Sequence, residues 1–141
     1  MIEGFPTTAR IQVRWRDLDA MGHVNNAVYF TYWEMARTAY LLKTFKVREP
    51  GVTTFAVATI RCDFLSQIST LEELEVGIRM PRVGRSSFDF EYELCGEDGR
   101  RIATASSVQV LFDYRTREKV VITEEWLDRV TRTEGKRPER K

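Results

Sequence analysis

The chain has 141 residues, a length that fits one domain with a single hydrophobic core, and we expect no second domain. Its 22 lysines and arginines nearly balance 21 aspartates and glutamates, so the net charge of +1 supplies no overall field to attract nucleic acid or a membrane surface. The N-terminus lacks the basic and then apolar order of a secretory signal, and no run of about 18 apolar residues could span a bilayer, so the sequence predicts a cytoplasmic protein.

The first two predicted elements are a strand and a long helix. Ile11, Val13 and Trp15 alternate with polar residues, which predicts a half-buried strand. After the asparagines at 25 and 26, aromatic and small residues recur at steps of three and four, which predicts a helix that continues to Lys43. Because its aromatic face is wide, we expect a sheet to cover it and the helix to lie at the centre of the fold.

Four further strands are predicted after a turn at Pro50-Gly51. Their β-branched or alternating sequences cover residues 53–64, 74–80, 88–94 and 101–114. Asp98-Gly99 predicts a hairpin between the last two. The four strands can form an antiparallel meander, and the long helix across its concave face makes the chain an α+β domain.

The C-terminal part is predicted to hold a short helix and a tail. Thr123 can cap a helix that continues to about Arg132. Residues 133–141 are charged and lack apolar anchors, so the domain is predicted over 1–132 and the tail is predicted to be disordered. Since one helix covers one face of the sheet, the other face or the sheet edges are predicted to form homo-oligomer contacts.

The loop before the long helix carries most of the candidate chemistry. Asp17, Asp19, Gly22 and His23 lie beside a helix N-terminus, where unpaired N–H groups and the helix dipole stabilise negative charge, including the oxyanion formed when a carbonyl is attacked. A carboxylate there could attack a thioester or ester carbonyl or activate a water molecule. The same residues also fit a loop in which an aspartate only caps the turn.

Metal and disulfide chemistry are not expected. His23 is the single histidine, so a zinc site of ordinary ligands would be hard to assemble, and we predict neither a metal nor a separate cofactor. Cys62 and Cys95 are far apart in sequence, and we predict that they are reduced core residues.

The loop and helix resemble a known family. DLDAMGHVNNAVYFTYWEMART, residues 17–38, is similar to the motif D-x-D-x-x-G-x-V-x-x-x-x-Y and the aromatic helix of hotdog-fold acyl-CoA thioesterases, in the branch of 4-hydroxybenzoyl-CoA thioesterase. The resemblance covers nearly the whole chain in element order, including DFLSQISTLEELEV at 63–76. It implies a hotdog fold, in which a five-stranded antiparallel sheet wraps the helix and homodimers share a ten-stranded sheet and often form homotetramers.

The resemblance also implies roles for residues of the loop. It makes Asp19 the catalytic carboxylate, as nucleophile or general base, places the oxyanion donor on the backbone N–H of Asn26, and leaves Asp17 a structural role. The HVNN segment also looks like acyl-carrier-protein thioesterases, where an asparagine and a histidine join the aspartate. Here Met21 replaces that asparagine, so His23 is predicted either to orient groups or bind water, or to be structural.

A glutamate on the helix is the competing carboxylate, because another hotdog branch uses one there. Glu34 lies eight residues beyond Asn26, roughly 12 Å along the helix axis, which is too far to share the same oxyanion site. We therefore predict that Glu34 forms a salt bridge with Arg37.

An acyl-CoA substrate would also need a site for its phosphates and its acyl chain. The turn between the third and fourth strands offers cations, hydroxyls and N–H groups and fits a phosphate site as well as a solvated hairpin. Its candidate residues are Arg82, Gly84, Arg85, Ser86 and Ser87, with Arg61 on the second strand as a further cation. The acyl chain would lie along the helix and sheet beside Tyr29, Trp33 and Phe64.

The sequence therefore predicts an acyl-CoA thioesterase that uses water to release CoA and a free acid at a subunit interface. CoA is then part of the substrate. A hydratase or dehydratase of acyl thioesters that depends on His23 is the first alternative, and a non-catalytic acyl-CoA binding module is the second. The residues leave open the acyl group, the choice of CoA or a carrier protein as thiol carrier, and the choice of dimer or tetramer.

Overall fold

The computed structural model describes residues 2–47 and 55–141. Its elements are β1 (Thr7–Gln12), a 3₁₀ helix (Trp15–Asp17), α1 (Val28–Phe45), β2 (Phe55–Phe64), β3 (Glu73–Val83), β4 (Ser87–Cys95), β5 (Arg101–Asp113), β6 (Glu118–Lys119), α2 (Glu124–Glu134) and β7 (Glu139–Arg140). The predicted turn at Pro50-Gly51 and the first two residues of the predicted strand 53–64 lie outside the described residues.

Five antiparallel strands in the order β1-β3-β4-β5-β2 form most of a seven-stranded sheet, in which β6 also pairs with β5 and β7 with β3. The predicted α+β hotdog architecture is confirmed. The predicted meander is correct for β3, β4 and β5 but wrong for β2, which pairs with β5 while β1 pairs with β3. The connection from β2 to β3 is not a hairpin, because it crosses the end of the sheet and binds the loop before α1 through the hydrogen bond from Val24 N to Ile68 O, 2.8 Å long.

The long helix α1 forms the core of the fold. Tyr32, Trp33, Ala36 and Tyr40 are fully buried at the predicted spacing of three and four residues. A side chain of this size contributes about 1.5–3 kcal/mol when it leaves water, so these residues fix α1 against the sheet. The helix ends where Lys46 adopts a left-handed conformation with φ of 56° and its N–H bonds to Leu42 O.

A polar network lies between α1 and the sheet. Arg37 Nη1 donates to Tyr92 Oη at 3.1 Å, which bonds to Ser107 Oγ, and Ser107 bonds to the buried Gln109. The predicted Glu34–Arg37 salt bridge is wrong, since no ion pair among the described residues joins them. Arg37 follows Trp33 by one helical turn, so its side chain reaches the sheet instead of the neighbouring helix surface.

The C-terminal residues are packed on the domain, which corrects the prediction of a disordered tail over 133–141. Helix α2 continues to Glu134, and β7 then pairs with β3, with Glu139 opposite Arg82. Lys141 N donates to Val83 O at 3.0 Å, and its side chain forms an ion pair with Asp89. These backbone and ionic contacts anchor a segment whose composition contains almost no apolar residues.

The outer face of the sheet, away from α1, is charged. Ion pairs cross between its strands, namely Arg10–Glu73, Arg79–Glu91 and Arg101–Glu93. Phe5 from the N-terminal segment lies on this face, with its ring 4.6 Å from the Arg79 guanidinium carbon. Within the described ranges, no helix is both long and apolar enough to cross a membrane.

Candidate active site

The buried side chain of Asp17 holds the loop before α1 against the core. Its carboxylate accepts hydrogen bonds from the backbone N–H of Arg14 at 2.9 Å, from the Arg14 guanidinium at 2.8 Å and from Tyr32 Oη at 2.8 Å. Desolvation by burial raises the pKa of Asp17, but the hydrogen bonds from Arg14 and Tyr32 outweigh it, so the pKa lies below its ordinary value. Asp17 is therefore an ionised anchor with its oxygens already occupied.

Asp19 lies two residues further along, on the exposed side of the loop. Its Oδ1 accepts from the backbone N–H groups of Met21, at 2.9 Å, and His23, at 3.3 Å. The backbone closes the same turn, since Asp19 N donates to His23 O and Gly22 N donates to Asp19 O. Gly22 has φ of +81°, a left-handed value that favours glycine. One carboxylate oxygen thus holds the loop, while Oδ2 accepts no hydrogen bond from the described residues.

The N-terminal turn of α1 comes next. Asn25 Oδ1 accepts from Ala27 N at 2.8 Å, so the asparagine side chain caps the entry to the helix as an Asx turn. Val28, Tyr29 and Phe30 N–H groups are bonded within this turn. By contrast, the N–H of Asn26 donates to no group among residues 2–47 and 55–141. A backbone donor without a partner at the positive end of a helix can bind an anionic oxygen.

Asp19, His23 and Asn26 line one open cavity of about 720 Å³. The sequence predicted these three residues as a group, and the structure places them together. The cavity is completed by Leu65, Ser66 and Gln67, which follow β2 directly. These three were missed as site residues, although the polar pair after an apolar strand end within the DFLSQ segment was a usable signal.

Two aromatic rings form the inner wall of this cavity. Tyr29 and Phe64 make an edge-to-face contact with ring centroids 4.9 Å apart. Burial, the largest effect, raises the pKa of Tyr29 to about 12, so its phenol is neutral at physiological pH. Trp33, the third residue predicted beside the acyl chain, does not line the cavity, because it is fully buried and packs on Tyr92.

The predicted phosphate-binding residues are not beside this cavity in the same chain. The loop lies at the start of β3, where Val13 N donates to Glu72 O, whereas Arg82, Gly84, Arg85, Ser86 and Ser87 lie at its end. The 11 residues of β3 separate the two places by roughly 33 Å. Arg82 is paired with Asp89, and Arg61 is paired with Asp63 on the charged outer face.

The chemistry available in the cavity is that of a carboxylate and a backbone donor. Among the described residues no three His, Cys, Asp or Glu side chains are grouped closely enough to hold a metal ion. A carboxylate can activate water or attack a carbonyl, and the helix N-terminus can bind the oxygen on which negative charge then develops. This combination is suited to cleavage of an ester or thioester.

Comparisons with known proteins agree with this geometry. The profile of the thioesterase-like superfamily matches residues 13–130. A thioesterase from Thermus thermophilus, solved in complex with coenzyme A and zinc, is 34% identical with a TM-score of 0.84, and the match covers 96% of this chain and 98% of that one. A protein from Pseudomonas aeruginosa strain PAO1 is 27% identical with a TM-score of 0.83, with 97% and 96% covered. The Bacillus subtilis (strain 168) protein YsmA is 31% identical over 116 residues, which are 82% of this chain and 79% of that protein.

The matched region contains both sides of the cavity, because residues 13–130 include the Asp19 loop and the segment after β2. The fold, the order of elements and the motif at 17–29 agree with this family match. The resemblance identified from the sequence is confirmed. The chain belongs to the thioesterase-like superfamily, and it is a hotdog-fold thioester hydrolase.

Proposed function

We propose that the protein hydrolyses acyl-CoA thioesters to CoA and the free acid, with Asp19 as the catalytic carboxylate and the N–H of Asn26 as the oxyanion donor. The observation that carries the proposal is that both residues line one cavity and that neither Asp19 Oδ2 nor the Asn26 N–H is hydrogen-bonded to a described residue. The relative from Thermus thermophilus, which was solved with coenzyme A, supports CoA as the thiol carrier.

The chemical step adds water to the acyl carbon. In the general-base route Asp19 takes a proton from water as its oxygen attacks, the carbonyl oxygen becomes an oxyanion at Asn26 N–H, and the C–S bond breaks while the thiol receives the proton. In the nucleophilic route the Asp19 carboxylate attacks the acyl carbon, the C–S bond breaks and the CoA thiolate leaves and takes a proton, and water then cleaves the mixed anhydride to the free acid and the Asp19 carboxylate. A preorganised oxyanion donor of this type lowers the barrier by about 2.7–4 kcal/mol in either route.

His23 is assigned a positioning role. Its backbone N–H donates to Asp19 Oδ1 and its carbonyl accepts from Asp19 N, so the histidine orients the loop through its main chain. Its side chain lines the cavity and can bind the attacking water. Because only the side chain differs in His23→Ala, a loss of turnover much smaller than that of an Asp19 variant is expected, whereas a hydratase that relied on this imidazole would be abolished.

The phosphates of CoA are proposed to bind across a subunit interface. Arg82, Gly84, Arg85, Ser86 and Ser87 lie at the far end of β3 from the Asp19 cavity of their own chain, so a second protomer has to supply them. This requires a homodimer or homotetramer. Arg61 lies on β2, three residues before Phe64, and can come from either chain. Arg85→Ala is expected to raise KM for acyl-CoA several-fold with kcat unchanged, and the same change should not affect an acyl-pantetheine substrate that lacks the nucleotide.

The first experiment is thiol release from acetyl-, octanoyl-, lauroyl- and benzoyl-CoA by the wild type, Asp19→Asn and Asp128→Asn. Asp128 is an exposed aspartate on α2, far in sequence from the loop, and it controls for removal of one charge. We expect Asp19→Asn to lose at least a thousandfold in kcat and the control to match the wild type. Turnover retained in Asp19→Asn would disprove the assignment.

The purified wild-type protein can also be used to distinguish the two alternative functions, a hydratase and a non-catalytic binding module. Hydration of an enoyl-CoA would indicate the hydratase, and tight acyl-CoA binding without turnover would indicate the binding module. Single-turnover hydrolysis in ¹⁸O-water separates the two routes, because only the anhydride route can place the label in the Asp19 carboxylate. Hydrolysis of carrier-protein thioesters without hydrolysis of acyl-CoA would show that the thiol carrier is a carrier protein and not CoA.

A further inference from the structure

One wall of the Asp19 cavity is a segment without helix or strand. It covers residues 65–72, between β2 and β3. Leu65, Ser66 and Gln67 from this segment line the cavity. Since no helix or strand ladder fixes such a segment, its position depends on individual hydrogen bonds and on buried side chains.

This wall is bonded directly to the Asp19 loop. Val24, which follows Asp19 in the loop, donates its N–H to Ile68 O at 2.8 Å, and the Ile68 side chain is fully buried. Val24 also forms a β-bridge with Leu18, so the residues on either side of the Asp19 turn are paired next to this bond. A shift of the wall would therefore move the turn that presents the carboxylate.

Arg100 comes directly before β5 and holds the wall at two points. Its Nη2 donates to Gln67 O at 3.2 Å and to Glu72 Oε2 at 2.7 Å, and its Nη1 donates to Glu72 Oε1 at 3.1 Å. The guanidinium thus binds the carboxylate through two parallel bonds and also binds the backbone of Gln67. A planar fork of this kind fixes geometry as well as supplying energy. We call Arg100, Gln67 and Glu72 the Arg100 clamp.

The ion pair of the clamp is enclosed on several sides. The Glu72 side chain is 9% exposed, and its carboxylate also accepts from the backbone N–H of Glu97 at 3.0 Å. The hydrogen bond from Arg100 is the main reason that the pKa of Glu72 lies below its ordinary value, so both partners are charged at neutral pH. Asp98 Oδ1 holds the same guanidinium at 2.8 Å. Gly96 packs against the pair, since an added Cβ there would lie 2.6 Å from Glu72 Oε1 and nearer still to Arg100 Nη1.

We propose that Arg100 is a positioning residue for hydrolysis, because its clamp fixes the cavity wall to which the Asp19 turn is bonded. This inference rests on the proposed function. Arg100 does not line the cavity, so its effect is on the position of Asp19 and not on contact with the substrate. A displacement of about 1 Å can lower a rate about a hundredfold, so loosening the clamp should lower kcat and leave KM nearly unchanged.

The first test loosens the clamp at constant charge. In Arg100→Lys a single ammonium replaces the fork and cannot bind the Glu72 carboxylate and Gln67 O in the same geometry. Arg101→Lys is the matched control, because Arg101 is the next residue and forms its ion pair with Glu93 on the outer face of the sheet. We expect kcat to fall about tenfold in Arg100→Lys with KM changed less than about twofold, and both constants to match the wild type in the control.

The second test displaces the clamp without altering its charges. The methyl added in Gly96→Ala meets the ends of two flexible side chains, so the protein can fold while Arg100 and Glu72 move. Gly99→Ala, in the same turn, adds a methyl to open space and is the control. We expect Gly96→Ala to have the lower kcat at a temperature at which urea titration shows both variants to be folded. Wild-type kcat in both Gly96→Ala and Arg100→Lys would overturn the proposal.

A double variant tests whether the effect passes through Asp19. If Arg100 acts only by positioning that carboxylate, Arg100→Lys should not lower the residual rate of Asp19→Asn any further, because residues that act as a unit are not additive. A further loss of about tenfold in the double variant would show that Arg100 affects the rate by another route, and it would overturn the positioning role.

The clamp can fail separately from the proposed reaction. Hydrogen exchange of the Val24 amide, which donates to Ile68 O, needs no turnover and should be faster in Arg100→Lys than in Arg101→Lys. Equal exchange in the two variants would show that the clamp does not hold the turn, and it would overturn this inference while leaving the role of Asp19 intact. Faster exchange together with full turnover in Asp19→Asn would instead disprove the proposed catalytic carboxylate and retain the clamp as an anchor of the loop.

Discussion

Tyr32 Oη donates a 2.8 Å hydrogen bond to Asp17 Oδ2, which joins the central helix to the loop that presents Asp19. Both groups are almost completely buried. This contact fixes the loop to the core two residues before Asp19, the proposed catalytic carboxylate.

Removal of this contact should destabilise the protein. Tyr32→Phe leaves the buried Asp17 carboxylate without one of its donors, and a hydrogen bond to a charged group is worth about 1.5–3 kcal/mol. Urea unfolding should show a loss in that range. Tyr114→Phe, which removes an exposed hydroxyl bonded to Phe55 O, is the control and should cost less than about 0.5 kcal/mol.

The stability contributed by Asp17 should depend on pH. Its pKa is lower in the folded protein than in the unfolded chain, so its contribution is complete above the unfolded pKa, near 3.8, and is lost as pH falls through the folded pKa. The difference in unfolding free energy between wild type and Asp17→Asn should thus be largest near pH 7 and shrink below pH 4. A difference independent of pH from 7 to 3 would contradict this role.

Substitutions at two glycines, Gly22 and Gly99, can separate an effect on the geometry of the Asp19 loop from the effect of backbone strain in general. Gly22, at φ of +81°, and Gly99, at φ of +82°, both have open space where a Cβ would be added. Alanine at either position should cost about 1 kcal/mol, because the left-handed conformation is unfavourable for it. Only Gly22→Ala should also lower kcat, since Gly22 closes the turn around Asp19. Equal turnover in the two variants would show that this turn does not set the catalytic geometry.

The C-terminal strand should contribute to stability without taking part in hydrolysis. Deleting residues 139–141 removes the β7 pairing with β3 and the Lys141–Asp89 ion pair. We expect the melting temperature to fall by several degrees, since about 1 kcal/mol corresponds to 2–8 °C in domains of this size range. Thiol release from acetyl-CoA at 25 °C is the second measurement, and a large loss there would assign this segment a part in the site.

Features that arise from local sequence were predictable. The buried spacing of α1, the hairpin at Asp98-Gly99 and the grouping of Asp19 with Asn26 follow from short-range pattern or from a recognisable motif. The site residues Ser66 and Gln67 were missed because their position depends on where β2 ends relative to a loop some 40 residues earlier, and no periodicity encodes that contact.

Long-range pairing was less predictable. β2 pairs with β5, and the segment after β2 is bonded to the Asp19 loop. The sequence of one strand does not determine which strands lie beside it in the sheet. The tail was predicted to be disordered because its composition shows no apolar side chains that could pack on the domain. It is held instead by a backbone hydrogen bond to Val83 and an ion pair with Asp89, which composition does not reveal. A salt bridge between Arg37 and Glu34 was predicted because the two residues are close in sequence. The actual partner of Arg37, Tyr92, is distant in sequence.

The ion pairs on the outer face of the sheet have a consequence for assembly. A contact between copies on that face would be made by charges such as Arg10, Glu73 and Arg101, whose attraction is screened over about 8 Å at physiological ionic strength and over shorter distances in more salt. An edge contact through β2 would instead be held by main-chain hydrogen bonds, which salt screens little. Raising the ionic strength should therefore dissociate a tetramer built on the outer face into dimers and leave a dimer paired through β2 intact.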